Sequence, residues 1–349
     1  MKKVSVLLAF VLSLSLWNHG LFARGNQDVV ASPSDESLPQ RIVQVGSAGF
    51  MVENALYLFP SAPERIVAMT DGNQGRGAFL ADLDPEYAEK TILPRSANTE
   101  AILALSPDRV VMKNFLKKRM GLPLENLGIP VTYLDLETPE AWMSDLDNLG
   151  ALMGNEERAQ DIGQEISHTT SQLATALEGV EKKPRVLFLY WSVKDGSTAV
   201  NLPPKSYMQT RMVEMAGGEA VWLDAELGSR WTKTNFEQVA AWDPDVVIVA
   251  AYHVSAEEAM ATLKDDSAWS SLRAFQEDQA HVMPADYYSW DQPDIRWLLG
   301  VQWMAKTFHP QRFEDVDLLD QARQFYQTMF GMTGEQFDSM ILPRLTGLR

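Results

Sequence analysis

Cysteine is absent from the 349-residue sequence. Its absence excludes disulfides, thiolate metal sites, a cysteine nucleophile and an N-terminal cysteine that carries a lipid. Basic residues are few, because 30 Lys and Arg stand against 47 Asp and Glu and the formal net charge is −17. A chain this acidic repels phosphate backbones, so we expect no nucleic acid among its partners.

Motifs of catalysis and nucleotide binding are also missing. The sequence contains no Gly-x-Ser-x-Gly elbow and no Gly-x-x-x-x-Gly-Lys-Ser/Thr phosphate loop. No histidine lies three or four residues from another, so two histidines on one turn of a helix cannot bind a metal here. A metal site whose ligands come from distant parts of the sequence is not excluded. We therefore predict a protein that performs no chemistry and needs no cofactor or resident metal.

Long apolar runs are confined to the N-terminus. Lys2 and Lys3 precede the apolar segment Val4–Trp17, and Ala23 then offers a small residue for cleavage. This is the layout of a secretory signal peptide, and about 14 apolar residues fall short of the ~20 that span a membrane. We predict cleavage, export to the periplasm and a soluble protein that is not a lipoprotein. Cleavage after Ala31 and retention as an anchor are the alternatives.

The rest of the chain has an ordinary globular composition and is long enough for two domains. Short β-rich runs alternate with helical stretches, which is typical of βαβ units and a mostly parallel sheet. Between the two halves, Ile162, Ile166 and Leu173 recur at helical spacing, and a second β/α series begins after Pro184.

This pattern predicts an α/β fold of two lobes with mostly parallel sheets, joined by one long bridging helix. The predicted segments are a signal peptide at 1–23, a flexible leader at 24–40, an N-terminal α/β lobe at 41–154, the bridging helix at 155–181 and a C-terminal α/β lobe at 182–349. The phrases Glu100–Asp108 and Glu237–Asp245 both read as an apolar helix followed by Pro-Asp and a strand, which suggests a topology shared by the lobes.

Side chains suited to ligand binding follow the predicted strands, where open α/β sheets bind their ligands. Aromatic rings offer large apolar faces to a bulky ligand, and arginine pairs with anionic groups. Core packing is the alternative role for the rings, and a surface charge is the alternative for each arginine. The candidate ligand-binding residues are Asp71, Asn73, Arg95, Tyr190, Trp191, Arg230, Trp231, Tyr252, Tyr287 and Trp290.

Several segments resemble the periplasmic binding proteins of ABC importers, in the branch for iron–siderophore, haem and cobalamin ligands. The segments are Pro63–Met69, Asn98–Asp108, Leu127–Tyr133, Ala216–Gly218, Phe236–Asp245 and Trp290–Pro293. The resemblance implies two bridged lobes and a monomer without enzymatic activity. It also implies a bulky chelate that binds in the cleft between the lobes and is delivered to an ABC permease in the inner membrane.

In such proteins an acidic residue on each lobe docks against permease arginines, and Glu100 and Glu237 occupy the matching positions. Their alternative role is favourable electrostatics at a helix start. Two other functions stay open at this point. A metal-dependent periplasmic enzyme on a similar scaffold would be distinguished by a metal assay and a turnover screen. A ligand-sensing module would lack a neighbouring permease gene.

Overall fold

The structure is a computed structural model that describes residues 38–70, 72, 74–194, 197–225 and 228–348. The predicted signal peptide, most of the leader, and the candidates Asp71 and Asn73 lie outside these residues. Within the described ranges, no helix has both the length and the apolar character needed to cross a membrane.

The N-terminal lobe contains a five-stranded parallel sheet. Its strands are β1 (Ile42–Gln44), β2 (Ile66–Thr70), β3 (Thr91–Leu93), β4 (Arg109–Lys113) and β5 (Val131–Leu134). They lie in the order β3-β2-β1-β4-β5. Successive side chains of a strand point to opposite faces, so Ile42 packs into the main hydrophobic core and Val43 into a smaller one.

The C-terminal lobe contains a mixed sheet. Its strands are β6 (Arg185–Lys194), β7 (Ser197–Leu202), β8 (Glu219–Ala220), β9 (Thr232–Thr234), β10 (Val246–Ala250) and β11 (Ala280–Val282). β10 pairs in parallel with β6 and β11, whereas β7 runs antiparallel to β6 and β9. All residues of β10 are buried, as expected for a strand covered on both faces.

Helices pack on both sheets and between them. They are α1 (Gly49–Leu56), α2 (Ala62–Arg65), α3 (Phe79–Leu83), α4 (Thr99–Leu103), α5 (Leu122–Asn126), α6 (Pro139–Met153), α7 (Glu156–Ala176), α8 (Met208–Met215), α9 (Phe236–Trp242), α10 (Ala256–Asp265), α11 (Arg273–Gln276), α12 (Trp297–Phe308), α13 (Leu318–Phe330) and α14 (Gly334–Gln336).

The long helix α7 connects the lobes. It contacts α6 in the N-terminal lobe and α8 and α12 in the C-terminal lobe, and it is unbroken across Gly163. Asn155 caps its start by accepting a hydrogen bond from the Arg158 backbone N–H at 3.0 Å. The helix ends at Ala176 instead of residue 181, because the chain turns at Gly179, whose φ is 72°. The predicted two-lobed α/β fold with one long connecting helix is confirmed.

The repeated phrase has the same structural role in both lobes. Asp108 Oδ2 accepts the backbone N–H of Arg41 at 3.0 Å, and Asp245 Oδ2 accepts that of Arg185 at 2.8 Å. In return, Arg41 donates to the carbonyl of Leu105 and Arg185 donates to the carbonyl of Trp242. Both carbonyls lie just before the Pro-Asp turn of their lobe. Each Pro-Asp turn therefore holds the first strand of its own lobe in place.

Behind the space between the lobes lies a buried polar cluster, the inter-lobe joint, formed by Asn54, Asp286, Asp294, Arg296 and Tyr326. Arg296 pairs with Asp294 at 2.8 Å and with Asp286 at 3.1 Å. The Tyr326 hydroxyl donates to Asp286 at 2.5 Å. Asn54 of the N-terminal lobe donates to Asp294 at 3.0 Å, so the cluster spans both lobes.

Apolar and aromatic contacts surround the inter-lobe joint. The Arg296 guanidinium lies 4.5 Å from the ring centre of Phe79 on α3, which also packs edge-on against Phe330 of α13 at 4.9 Å. Arg158 on α7 donates to the carbonyls of Leu58 and Met329. The C-terminal helices thus return to the N-terminal lobe and bury the joint completely.

Candidate ligand-binding cleft

A cleft of about 310 Å³ lies between the lobes at the carboxyl ends of both sheets. Its volume is at the lower end of the ~300–1,000 Å³ found for ligand pockets. In the N-terminal lobe, the chain after β1, β3 and β5 supplies Ala48–Met51, Arg95 and Glu137 to the lining of the cleft. In the C-terminal lobe, the chain after β10 and β11 supplies Tyr252 and Gln292. Parallel strands therefore deliver side chains from both lobes to one place, as their shared polarity requires.

The N-terminal wall is built around the start of α1. Its cap residue, Ala48, has a left-handed backbone with φ 62°, and the Ala48 side chain makes no capping hydrogen bond. Ala48–Met51 line the cleft, so the positive end of the helix dipole faces it, while the Met51 N–H donates to the Ala48 carbonyl at 3.3 Å. Gly72 packs closely against this end, because a Cβ at that position would lie 2.9 Å from the backbone nitrogen of Phe50.

Charged groups on this side come from the ends of β3, β4 and β5. Glu137 lies 2.7 Å from Nζ of Lys113, a buried side chain that also donates to the carbonyl of Asp135. Lys113 thus offsets the negative charge of Glu137. Arg95 adds a positive charge and faces His253 from the other lobe. Burial, followed by the charge of Arg95, lowers the pKa of His253, so this imidazole is mainly neutral at pH 7.

The C-terminal wall is aromatic. Tyr190 stacks on Tyr252 with ring centres 4.4 Å apart. Trp231 packs edge-on against both, and its ring centre lies 5.2 Å from that of Tyr190 and 6.3 Å from that of Tyr252. Tyr207 meets Trp231 at 6.0 Å. Burial raises the pKa of Tyr190 and Tyr252, and the nearby Asp291 carboxyl adds to both shifts, so the hydroxyls keep their protons.

A buried carboxyl group, Asp291, supports this wall from beneath. Its Oδ2 accepts hydrogen bonds from the Tyr252 hydroxyl at 2.6 Å and from the Gln209 amide at 3.1 Å, and its Oδ1 accepts one from Ser289. Burial raises the pKa of Asp291, and these three donors oppose the rise. The bonds fix the orientation of Tyr252 and Gln209, both of which line the cleft.

Two amides join the lobes at the cleft. Gln74 Nε2 donates to Gln292 Oε1 at 2.8 Å. Gln292 is 3% exposed, and its Nε2 has no hydrogen-bond partner among the described atoms. Exchanging the oxygen and nitrogen of both amides would preserve one bond and leave the Gln74 amino group unused instead. In either orientation the pair retains one unused N–H donor and one unused carbonyl oxygen; in the orientation described, that oxygen is Gln74 Oε1.

Of the eight candidate ligand-binding residues that the structure describes, three line the cleft, namely Arg95, Trp231 and Tyr252. Tyr190 stacks behind Tyr252 and supports the wall without lining it. Arg230 is exposed beside Trp231 and is also absent from the described lining.

Trp191, Tyr287 and Trp290 belong to the hydrophobic core, which was their alternative role. Trp191 follows Tyr190 on β6 and so points to the opposite face, where it lines a separate hollow with Lys233. Trp290 is 0% exposed and donates to Asp286 at 2.8 Å. Tyr287 is also buried and donates to Asp82. The structure therefore places these three rings in the alternative role given to them, which is core packing.

Sequence reasoning missed the start of α1 and the amides of Gln74, Gln209 and Gln292. A signal for the first existed, since Gly46-Ser-Ala-Gly49 is a glycine-containing turn from a strand into a helix. The glutamines carried no comparable signal, because an isolated amide in a sequence is most often a surface residue.

Glu100 and Glu237 are exposed and occupy equivalent positions. Each lies in the first turn of its helix, two residues after a capping asparagine, Asn98 for α4 and Asn235 for α9. This geometry fits the predicted docking role and the alternative of helix-start electrostatics alike.

Two lobes around a cleft lined by donors and rings define a solute-binding protein. The family model described as periplasmic binding protein matches residues 76–287, and the chain belongs to this family. The resemblance in the sequence is thereby confirmed.

Curated relatives of the chain are binding proteins. The molybdate-binding protein MolA of Haemophilus influenzae is 24% identical over 277 residues, which cover 73% of this chain and 76% of MolA. A vitamin B12-binding protein of Salmonella typhimurium is 30% identical over 195 residues, 55% of this chain and 68% of that protein.

Solved structures share the fold. MolA bound to molybdate superposes with a TM-score of 0.70 at 20% identity, covering 85% of this chain and 94% of MolA. A periplasmic solute-binding protein from Veillonella parvula gives 0.69 at 21% identity, covering 87% and 92%. Among the residues that the structure describes here, no group of three or more His, Asp or Glu side chains is placed to hold a metal ion.

Proposed function

We propose that this protein captures a solute in the inter-lobe cleft outside the inner membrane and delivers it to an ABC permease. The observation that carries the proposal is the convergence of both sheets' carboxyl edges on one cleft lined by aromatic rings and hydrogen-bond donors. Its action is binding and release, without chemistry and as a monomer.

The ligand we infer from the sequence is a bulky chelate. The aromatic wall of Trp231 and Tyr252 supports it, because such rings stack on extended organic groups. A volume of about 310 Å³ would enclose only part of such a ligand and would leave the rest at the open mouth. The relatives named for molybdate and for vitamin B12 mark the range of sizes that this scaffold accommodates.

Glu100 and Glu237 are the residues we propose for docking on the permease, one on each lobe. Charged groups at the rim of an interface act mainly on association and register, so losing both weakens docking markedly. Because neither residue lines the described cleft, their loss should leave ligand binding intact.

The test is uptake of the ligand that copurifies with the protein, measured in cells that carry Glu100→Ala together with Glu237→Ala. We expect uptake to be lost and the affinity of the purified variant to be unchanged. Glu157→Ala is the matched control, because Glu157 is exposed in the first turn of α7, two residues after the capping Asn155. It shares their helix-start electrostatics and should leave uptake normal.

Normal uptake in the double variant would contradict the docking assignment, and reduced affinity would place the pair in the binding site. Turnover of a substrate by the purified protein would favour the enzymatic alternative. A neighbouring membrane kinase gene without a permease gene would favour sensing.

A further inference from the structure

One aromatic side chain of the cleft differs from the others in its packing. The aromatic residues in the described lining are Phe50, Phe115, Tyr207, Trp231 and Tyr252. Phe50 stacks on Tyr288 with ring centres 4.6 Å apart, and Tyr207 and Tyr252 both pack against Trp231. Phe115 has no ring partner among the described residues, and it is 58% exposed.

The residues on both sides of Phe115 are anchored in the N-terminal lobe. Phe115 lies in a short helical turn, Asn114–Leu116, that directly follows β4. Lys113 before the turn is buried and pairs with Glu137 at 2.7 Å, and Leu116 at its end is buried in the smaller core. The fold therefore holds the backbone of Phe115 from both sides and leaves its ring at the cleft surface.

Exposure alone does not mark a binding residue, because single apolar side chains are common on protein surfaces. Leu127, in the same lobe, is also 58% exposed, and it does not belong to the described lining of the cleft. Phe115 differs from it in its place, since it lines the cleft from the lobe opposite to Trp231 and Tyr252. An apolar group bound in this space would remove apolar surface of both lobes from water.

We infer that Phe115 determines ligand specificity by contacting an aromatic or conjugated ring of the ligand. The inference rests on the proposed solute-binding function and narrows its ligand to a chelate that carries such a ring. The ring would cover Phe115 in the N-terminal lobe and meet the aromatic wall of the C-terminal lobe. A compact oxyanion or an aliphatic chelate offers no ring and would leave Phe115 without a matching surface.

The test compares three variants. Phe115→Ala removes the ring, and Phe115→Leu retains an apolar side chain without a ring. Leu127→Ala is the matched control, because it removes an equally exposed apolar side chain outside the described lining. Calorimetry measures affinity for cyanocobalamin and ferric 2,3-dihydroxybenzoate, which carry rings, and for ferric citrate and sodium molybdate, which carry none. Thermal melting checks that each variant is folded.

We expect at least one of the two ring-bearing probes to bind the natural protein. Its affinity should fall about tenfold in Phe115→Ala and about threefold or more in Phe115→Leu, and it should change by less than about twofold in Leu127→Ala. The melting temperature should change little in all three variants, because both positions are largely exposed.

The inference would be overturned if neither ring-bearing probe bound, or if Phe115→Ala retained the natural affinity. Full affinity in Phe115→Leu would show that any apolar side chain suffices, and an equal loss in Leu127→Ala would show that the position in the cleft does not matter. Either result would also overturn it.

Binding of ferric citrate or molybdate alone would overturn the assignment of a ring to the ligand. That result would leave the proposed capture function standing, because a solute would still bind in the cleft. Turnover of a substrate by the purified protein would instead contradict the proposed function. The two proposals therefore fail on different results.

Discussion

The cleft and the inter-lobe joint are made by the same stretch of chain, yet they treat their polar groups differently. Residues 283–296 are buried throughout. At the joint, Arg296 meets two carboxylates and a ring of aromatic side chains. Facing the cleft, Gln292 retains a donor without a partner, and Asp291 only orients its neighbours. The joint connects the lobes through paired charges, whereas the cleft connects them through a pair of neutral amides. Unused polar atoms occur among the described residues in both places, namely Arg296 Nη2 and Asn54 Oδ1 in the joint and Gln292 Nε2 and Gln74 Oε1 in the cleft.

The largest effect should come from the joint. Arg296→Met retains most of the side-chain volume but leaves Asp286 and Asp294 buried without their cation. Removing one partner of a buried ion pair costs about 3–5 kcal/mol, so the free energy of unfolding should fall by that amount in urea titrations. Arg323→Met, which breaks an exposed pair with Asp338, is the control and should change stability by about 0–1 kcal/mol. Equal stability of the two variants would show that the joint does not hold the lobes together.

Trp290→Ala is expected to act on stability as well. The ring is fully buried and its N–H reaches Asp286, so its removal creates a cavity in the joint. Large-to-small changes of this kind cost about 3–5 kcal/mol. Chemical denaturation should show this loss, with little change of ligand affinity in the folded fraction. A tenfold loss of affinity at normal stability would instead restore the ligand-binding role predicted from the sequence.

The sequence was most informative where a structural feature depends on a local pattern of residues. The alternation of strands and helices, the unbroken stripe of α7 and the repeated Pro-Asp turn are local patterns, and each predicted its element correctly. The rule that ligands bind at the carboxyl ends of strands selected Arg95, Trp231 and Tyr252, all of which line the cleft.

The same rule could not separate Tyr190 from Trp191. Neighbouring residues of a strand face opposite sides, and the choice of side depends on what packs against the sheet, which no local pattern records. The joint was invisible for a similar reason. Its partners Asn54 and Asp294 are 240 positions apart. Only the return of the C-terminal helices to the first lobe brings them together.

A smaller effect, confined to binding, is expected for Trp231→Ala. The ring is partly exposed in the cleft and contacts Tyr190, Tyr207 and Tyr252. A stacked aromatic contact contributes roughly 0.5–1.5 kcal/mol beyond burial, so affinity for the copurifying ligand should fall about tenfold, which corresponds to ~1.4 kcal/mol. Trp191→Ala, on the opposite face of β6, is the control and should retain the affinity. Loss of affinity in both variants would mean that the edge of the sheet formed by β6, β7 and β9 responds as a whole.

The smallest effect concerns pH and His281, on the strand that leads into residues 283–296. Burial, followed by the charge of Lys264, lowers the pKa of His281, and its Nε2 has no hydrogen-bond partner among the described residues. The unfolded chain, with a histidine pKa near 6.5, therefore binds a proton before the folded protein does. Stability contributed by the neutral imidazole is constant above about pH 7.5 and falls as the pH drops below about 6.5.

His281→Leu removes this titrating group. Carboxyl groups titrate in the variant and in the natural protein alike, so their contributions cancel when the unfolding free energies of the two proteins are subtracted. We expect the difference in unfolding free energy to move in favour of the variant as the pH falls from 7.5 to 5.5, because the natural protein loses stability over this range and the variant lacks the titrating group. His168→Leu, at an exposed position of α7, is the control for replacing a histidine by leucine outside the core. A flat profile for His281→Leu would show that this histidine takes up its proton as readily in the folded protein as in the unfolded chain.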